Sequence, residues 1–389
     1  MEDFNDLDSI GPYKTDAEAI DAFEHIAANP LLPKISKYFF PEKSEDYLKE
    51  SILQTKSVDE FQHLVMAKII RRIIDRTVRN FSYDGISYID TEKKFLAISN
   101  HRDIILDPAF TQYVLMENNI PLTEIAVGDN LIQNKFIEYL IRSNRMIKVI
   151  RGVPARELYL SSQRLSKYIR NSVTSGESSV WLAQRQGRTK DGYDTTEQGI
   201  LKMLDMSGRP DDFKGNFEEL NIIPMSISYE IEPCDILKAR ETYIAKTQGH
   251  YEKAQGEDLN SILVGVTQQK GDVHLNIGHP LTIEEISLAS FCDKNDRYQY
   301  IRHAVNMRVV DGYRLWKNNY IAYDILNPGG RFAERYDAAD KEKFTDYMEH
   351  QLDTLEPELS REGVRERFLT IYANPIVTKD IRAKGDLLV

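Results

Sequence analysis

A histidine and two aspartates lie close together in the stretch SNHRDIILDPA, residues 99–109, between two apolar runs. A neutral imidazole can take a proton from a hydroxyl group, and a carboxylate behind it fixes the tautomer and stabilises the imidazolium that forms. No protein nucleophile is needed when the hydroxyl of the substrate itself attacks. The stretch therefore indicates general-base chemistry at His101, with Asp107 or Asp103 as the orienting carboxylate.

Two other interpretations of this stretch predict different structures. His-Arg-Asp opens the catalytic loop of protein kinases, but that loop needs an asparagine five residues after the aspartate, where this chain has Pro108. No Asp-Phe-Gly follows and no glycine-rich loop precedes, so we reject the kinase interpretation. Asp107-Pro108 is also a good helix start, with aspartate as N-cap and proline at the first helical position. In that case His101 is a strand-end histidine with a structural role.

Basic residues follow two later strands of the predicted sheet. Arg151 ends the run MIKVIR, and Arg185, Arg188 and Lys190 come just after the run VWLA. Arginine binds phosphate through paired planar donors, and lysine binds it as a point charge. Open α/β sheets place their ligands at the carboxyl ends of strands, where His101 is also expected. The pattern predicts a general base beside a site for an anionic acceptor.

The elements that position these residues alternate between strand and helix patterns. Six short runs are predicted as strands: KFLAIS, TEIAVG, MIKVIRG, SSVWLA, NIIPMSISYE and DVHLNIG. Helical patterns fall between most of them, which is typical of an α/β domain with a mixed, mostly parallel central sheet flanked by helices. The segment CDILKARETYIAKTQGHYEKAQGEDLN, residues 234–260, is long and charged and is predicted as helical.

Helical patterns also precede and follow this domain. We expect an N-terminal helical domain over residues 1–82, the α/β domain over 83–285, and a helical C-terminal extension packed on the core over 286–389. One helix is predicted from Ser57 to Phe81, with an apolar stripe flanked by basic residues. Its part at 64–81 could pack on the core, or lie at an interface with anionic lipid.

Composition excludes several classes of protein. The chain has 389 residues, two distant cysteines and a formal net charge of −11 at pH 7. The charge argues against general nucleic-acid binding, and the cysteines argue for a reducing compartment and against a disulfide framework or a cysteine zinc site. No apolar run approaches the roughly 20 residues of a membrane span, and the acidic N-terminus does not resemble a signal peptide. We expect a cytoplasmic protein, with peripheral contact at the inner face of the membrane as an open alternative.

Five stretches in this order resemble the motifs of the glycerol-phosphate acyltransferase superfamily, which includes glycerol-3-phosphate and 1-acylglycerol-phosphate O-acyltransferases. SNHRDIILDPA resembles the first motif, an Asn-His followed by four residues and an aspartate. The others are GDNLIQNKFIEYLIRSNRMIKVIRG, VWLAQRQGRTKDG, NIIPMSISYE with Pro224, and KGDVHLNIGHPL, which is similar to the closing strand of the glycerol-3-phosphate branch. The resemblance covers residues 85–281.

Two positions depart from the pattern of the superfamily. Its spacing would place the aspartate at Leu106, whereas here it is Asp107, one residue later. We favour Asp107 as the partner of His101 because a turn can absorb the extra residue, and Asp103 is the alternative. The third motif normally has a glutamate before its glycine, where this chain has Arg185 and Gln186, so that role in acceptor binding is unfilled.

The resemblance implies an enzyme of phospholipid biosynthesis that moves a fatty acyl group from an acyl thioester to the hydroxyl of a glycerol phosphate. The donor would be a coenzyme A thioester or acyl carrier protein, and no cofactor or metal is implied. The implied site residues are His101 and Asp107 for catalysis, with Arg151, Arg185, Arg188 and Lys190 for the acceptor phosphate. The alternatives are acylation of 1-acylglycerol 3-phosphate or of another alcohol or amine, and, in a different class, a catalytically silent lipid-binding relative.

Overall fold

The computed structural model describes residues 7–132 and 134–383. In these residues seven strands form one sheet, in the order β1-β7-β6-β2-β5-β3-β4. Neighbouring strands are parallel, except that β6 and β7 are antiparallel. The strands are β1 (Val78–Asp84), β2 (Leu96–Ser99), β3 (Glu124–Gly128), β4 (Met146–Val149), β5 (Val180–Ala183), β6 (Ile222–Tyr229) and β7 (Gly271–Ile277).

Helices precede the sheet, flank it and follow it, which confirms the predicted fold class. They are α1 (Asp16–Ala27), α2 (Leu32–Phe39), α3 (Tyr47–Gln54), α4 (Val58–Phe61), α5 (Ala67–Thr77), α6 (Leu106–Glu117), α7 (Lys135–Ser143), α8 (Ala155–Thr174), α9 (Gln198–Asp205), α10 (Phe213–Glu218), α11 (Asp235–Gln248), α12 (Glu257–Thr267), α13 (Ile283–Ser290), α14 (Asp296–Asp311), α15 (Lys317–Leu326), α16 (Ala338–Leu352) and α17 (Arg361–Ala383). A π-helical turn, Gln62–Met66, joins α4 to α5.

The predicted domain boundaries stay predictions, and their outermost parts, residues 1–6 and 384–389, lie outside the described residues. None of the described helices has both the length and the apolar character that crossing a bilayer requires.

The centre of the sheet is buried on both faces. Leu96 and Ile98 of β2 enter the core formed with α8, α9 and α14, whereas Ala97 enters the core formed with α5 and α6. Strands that are covered on both faces have short, mostly apolar sequences. All six strands predicted from the sequence are present. The carboxyl end of β2, where His101 begins a turn, is therefore a rigid position in the middle of the sheet.

The predicted helix over residues 57–81 is too long at its carboxyl end. α5 ends at Thr77, and the residues from Val78 onwards form the edge strand β1, which pairs with β7. The N–H group of Lys270 donates to the carbonyl of Thr77 at 2.7 Å, next to the point where the ladder begins. The pairing with a distant strand overrides the helical pattern of the preceding residues.

The apolar stripe of α5 is part of the core. Ile70 and Ile73 are buried against the sheet and α6, so the structure agrees with core packing and not with a lipid-facing stripe. Three arginines on the other side of the helix contact groups of the same chain: Arg71 bonds to Glu117, Arg72 to Glu42, and Arg76 to the carbonyl of Tyr38.

The segment predicted as helical at residues 234–260 contains one helix and the start of a second. α11 ends at Gln248 and α12 begins at Glu257. Gly249 and Gly256 flank the connection with φ angles of 80° and 82°, the left-handed conformation that glycine adopts without steric cost. These glycines end one helix and redirect the chain into the next.

Candidate active site

The central strand of the sheet positions the candidate base. β2 ends at Ser99, and Asn100 and His101 begin the turn that leads into α6. The side-chain amide of Asn100 pairs with the backbone of Ile227 in β6, where it donates at 3.0 Å and accepts at 2.8 Å. The N–H group of Thr189 donates to the carbonyl of His101 at 2.9 Å. The backbone of His101 is therefore held between β6 and the loop that follows β5.

The imidazole of His101 is hydrogen-bonded to Asp107, which lies in the first turn of α6. Nδ1 of His101 is 2.8 Å from Oδ2 of Asp107, and the exposed fractions of the two side chains are 14% and 1%. A carboxylate at this nitrogen favours the tautomer with its proton on Nδ1, which leaves the lone pair of Nε2 free to accept a proton. Among the described residues, Nε2 has no hydrogen-bond partner. The pair has the geometry of a general base and its orienting carboxylate.

Asp107 is itself held by groups of the turn and of β6. Its Oδ2 also accepts the backbone N–H groups of Arg102 and Asp103, at 2.6 and 2.9 Å, and its Oδ1 accepts the hydroxyl of Tyr229 at 2.8 Å. The turn wraps its N–H groups around the carboxylate, so the extra residue between His101 and Asp107 is absorbed without separating the two side chains. The departure in spacing therefore does not prevent the pair from forming.

Asp103, the alternative partner of His101, caps the helix instead. Its Oδ1 accepts the backbone N–H groups of Ile105 and Leu106 at 3.0 and 2.8 Å. The helix-start interpretation placed this cap at Asp107, which is wrong because α6 already begins at Leu106. Burial, and after it the charge of Asp107, raises the pKa of the Asp103 carboxyl. Of the two aspartates, the structure brings Asp107 to the imidazole.

A buried ionic cluster lies behind the turn. Nη2 of Arg102 is 2.5 Å from Oδ2 of Asp194, and Nη1 is 3.5 Å from Oε2 of Glu232. Nζ of Lys238 donates to Glu232 and to the carbonyl of Arg102, both at 2.6 Å. Sequence reasoning missed this cluster, because charged residues that are far apart in the chain give no local sign that they pair inside the protein.

We predict that Asp194→Ala lowers the free energy of unfolding by about 3–5 kcal/mol, the cost of leaving one charge of a buried pair without its partner. Arg102 would lose its shortest contact. Urea denaturation followed by circular dichroism measures the change. The matched control is Asp353→Ala, which breaks an ion pair with Arg361 at the surface and should cost less than about 1 kcal/mol. Equal effects of the two substitutions would contradict a stabilising role of the buried cluster.

Arg188 and Lys190 lie in the loop after β5, next to the His101 turn. Arg188 is 8% exposed, and its Nη1 atom is buried without a hydrogen-bond partner among the described residues. Lys190 bonds to Glu241, and burial together with the charge of Arg188 lowers the pKa of Lys190 to about 8. Burial and the charge of Arg188 outweigh the opposite effect of Glu241 on Lys190, so this pair of cations is arranged to attract an anion. A phosphate group here would accept from the unpaired donor of Arg188.

The structure does not bring the other two predicted phosphate ligands, Arg151 and Arg185, as clearly to the His101 turn. Arg151 follows β4, which β5 and β3 separate from β2, so its backbone is about 14 Å from the end of β2 at the usual strand spacing. Its guanidinium lies over Gly128 at the end of β3, where a Cβ atom would be 2.8 Å from Cζ. The buried Nε atom of Arg185 has no hydrogen-bond partner among the described residues.

Trp181 of β5 lies beside the imidazole and was not predicted as a site residue. Its ring is edge-on to that of His101, with 5.8 Å between the ring centroids and 73° between the planes. Sequence reasoning used this tryptophan only as a sign of a strand, which does not show which side chain faces the histidine. In residues 7–132 and 134–383, no group of three or more His, Cys, Asp or Glu side chains could hold a metal ion.

Comparisons with known proteins bear on the part of the chain that forms this site. Residues 80–228 match a protein-family model described as acyltransferase. That range contains the His101 turn and both loops with predicted phosphate ligands. No curated protein matches the chain. Among solved structures, the 1-acyl-sn-glycerophosphate (LPA) acyltransferase PlsC from Thermotoga maritima aligns over 75% of this chain and 92% of its own chain, with 12% sequence identity and a TM-score of 0.39.

Proposed function

We propose that this enzyme transfers a fatty acyl group from an acyl thioester to a hydroxyl of glycerol 3-phosphate, in agreement with the match of residues 80–228 to the acyltransferase family model. The observation that carries this proposal is the bond between His101 and the buried Asp107, which leaves Nε2 without a partner among the described residues, in a turn that Thr189 joins to the loop of Arg188 and Lys190. We place the reaction in phospholipid biosynthesis, in the cytoplasm or at the inner face of the membrane.

The chemical step needs no group beyond this pair and the two substrates. Nε2 of His101 takes the proton of the acceptor hydroxyl as its oxygen attacks the thioester carbonyl, and Asp107 stabilises the imidazolium. The tetrahedral intermediate then expels the thiolate, which receives the proton from the imidazolium. Holding both substrates in line supplies a large part of such catalysis.

The cations after β5 would bind the acceptor. Arg188 has a buried donor without a partner in the described part of the chain, and the pKa of Lys190 is lowered by burial and by Arg188. An incoming phosphate would relieve both unfavourable features. Arg151 would contact the phosphate from the end of β3, and Arg185 is the least supported of the four. The acyl donor is proposed as a thioester of coenzyme A or of acyl carrier protein. The site residues described above do not distinguish these two carriers.

An acylation assay with purified protein tests the proposal. The same acyl group is offered as a coenzyme A thioester and on acyl carrier protein. The acceptors are glycerol 3-phosphate, 1-acylglycerol 3-phosphate, glycerol and a primary amine, and products are identified by mass spectrometry. We expect transfer to glycerol 3-phosphate to be fastest. Equal rates with glycerol would contradict the phosphate site, and no transfer to any acceptor would favour the silent lipid-binding alternative.

We predict that Arg188→Ala raises the KM for glycerol 3-phosphate at least about tenfold, because a hydrogen bond to a charged group contributes roughly 1.5–3 kcal/mol. The KM for the acyl donor should change much less. Steady-state kinetics with each substrate varied in turn measures both values. Arg209→Ala, at an exposed arginine that pairs with Asp212, is the control and should change neither KM. A larger rise in the donor KM would mean that Arg188 contacts the donor, and the acceptor assignment would be wrong.

A further inference from the structure

A tyrosine outside the predicted site is bonded to the carboxylate of the pair. Tyr229 is the last residue of β6, and its hydroxyl donates to Oδ1 of Asp107 at 2.8 Å. The other donors to this carboxylate, His101 and the backbone N–H groups of the turn, bind Oδ2. In the described part of the chain, Tyr229 is thus the group that holds the second oxygen.

The hydroxyl of Tyr229 is kept in place by packing and by pairing. The ring is buried in the core between the sheet and α6, with 6.4 Å between its centroid and that of Phe110. The backbone of Tyr229 pairs with Val273 in the ladder between β6 and β7. Burial, and after it the charge of Asp107, raises the pKa of the Tyr229 hydroxyl well above its ordinary value. The group therefore remains a hydrogen-bond donor throughout the neutral pH range.

An anchor on Oδ1 matters because Oδ2 is shared between the imidazole and the turn. If the carboxylate turned out of its present plane, Nδ1 of His101 would lose the oxygen that fixes the tautomer, and Nε2 would no longer be the free nitrogen. The backbone N–H groups of the turn hold Oδ2 alone and leave rotation about that contact open. A donor on the opposite oxygen, fixed in a neighbouring strand, removes this freedom.

We propose that Tyr229 is a positioning residue for the acyl-transfer step: it fixes the plane of the Asp107 carboxylate and thereby the orientation of His101. The inference rests on the proposed function, because it assigns Tyr229 a role in the base-catalysed step. Tyr229 acts through Asp107 and touches neither substrate nor the reacting atoms. Its hydroxyl also neutralises part of the carboxylate charge, which sets how strongly Asp107 stabilises a protonated His101.

Tyr229→Phe removes the hydroxyl and keeps the buried ring. We expect kcat to fall about 10- to 100-fold, by analogy with the loss when the groups that orient metal-bound histidines are removed, while the KM for the acceptor changes less than about twofold. The acid limb of kcat/KM should move to higher pH, because a carboxylate that has lost a donor stabilises the imidazolium more strongly. Steady-state rates over a pH series measure these effects.

Tyr298→Phe is the matched control. Tyr298 is buried in the core on the opposite face of the sheet, and its hydroxyl donates to Oδ2 of Asp205 at 2.6 Å. The variant Tyr298→Phe loses a tyrosine–carboxylate bond of the same kind, away from His101 and Asp107. Its kcat and pH profile should therefore equal those of the wild type. If Tyr229→Phe also kept the wild-type kcat and pH profile, and both variants lost only thermal stability, Tyr229 would be a core residue and the inference would be overturned.

A measurement without substrate distinguishes this inference from the proposed function. In protein with isotope-labelled histidine, the Nδ1–H resonance of His101 is assigned by its absence in His101→Ala. It should broaden through faster exchange with water in Tyr229→Phe and stay unchanged in Tyr298→Phe. If the wild type acylates no acceptor while the resonance depends on Tyr229, the proposed function fails and the positioning stands. An unchanged resonance in an active enzyme would reject the positioning role and leave the proposed function intact.

Discussion

Replacing His101 with alanine is expected to lower kcat/KM for acyl transfer at least about 100-fold, because the acceptor hydroxyl would lose its general base. The protein should stay folded, since His101 lies in a turn and Asp107 keeps its bonds from two backbone N–H groups and from Tyr229. Steady-state rates with glycerol 3-phosphate and thermal unfolding by circular dichroism are the two measurements.

The control for this substitution is His63→Ala. His63 is exposed, and its Nδ1 contacts the carbonyl of Asp59 in the same helical segment, so its loss should leave both rate and fold unchanged. Near wild-type rates in His101→Ala would contradict the base assignment. His101 would then be a strand-end histidine with a structural role, as one of the first interpretations of the sequence had it.

The strands that hold the candidate site were predictable because burial on both faces leaves a local pattern. β2 sends alternate residues into two cores and reads as a short apolar run. β1 shows the opposite case, since its sequence VRNFSYD mixes apolar and polar residues and directly follows a helix. It is a strand because it pairs with β7, where Ser82 meets His274, 192 positions later. No local pattern contains that information.

The pair itself was predictable for a related reason. His101 and Asp107 belong to one turn, so a short motif contains both. The sequence favoured Asp107 over Asp103 as the partner of His101, and the structure shows that Asp107 contacts the imidazole. Tyr229 reaches the same carboxylate from 122 positions away, and the partners of Arg102 in the buried cluster lie 92 to 136 positions from it. Such contacts depend on strand order, which the sequence of a single chain does not display.

Strand order also explains why the predicted phosphate ligands do not form one set. β5 is next to β2, which brings Arg188 and Lys190 to the His101 turn, whereas β4 is at the far edge of the sheet. The side chain of Arg151 can approach the His101 turn only by extending over the end of β3. Their roles in binding phosphate stay predictions, and the kinetic effects should be largest for Arg188.

Replacing Asp107 with asparagine is expected to cost about 100-fold in kcat/KM, even though the hydrogen-bond pattern can be kept. The N–H groups of Arg102 and Asp103 donate to the oxygen that faces His101, so the amide oxygen should occupy that position and the NH2 group should face Tyr229. The imidazole would keep its tautomer and lose the charge that stabilises its protonated form. The cost should therefore be below the roughly 10⁴-fold seen in serine proteases, where the same change also imposes the wrong tautomer.

The pH dependence separates this effect from the one expected at Tyr229. Without the carboxylate the imidazolium is less stable, so the acid limb of kcat/KM for Asp107→Asn should move to lower pH. In Tyr229→Phe the carboxylate remains and has lost a donor, so the limb should move to higher pH. Shifts in the same direction for both variants would contradict the account of the pair.

Asp103→Asn is the matched comparison and is expected to lower kcat/KM less than about fivefold, because an asparagine oxygen can accept the same N–H groups of Ile105 and Leu106 and keep the helix cap.

Burial raises the pKa of the Asp103 carboxyl in the folded protein. Folding therefore favours its neutral form, and this contribution to stability is lost as the pH rises through that pKa. Removing the charge should leave the free energy of unfolding at pH 7 unchanged or higher, as urea denaturation can measure. A larger loss of activity in Asp103→Asn than in Asp107→Asn would make Asp103 the functional partner of His101.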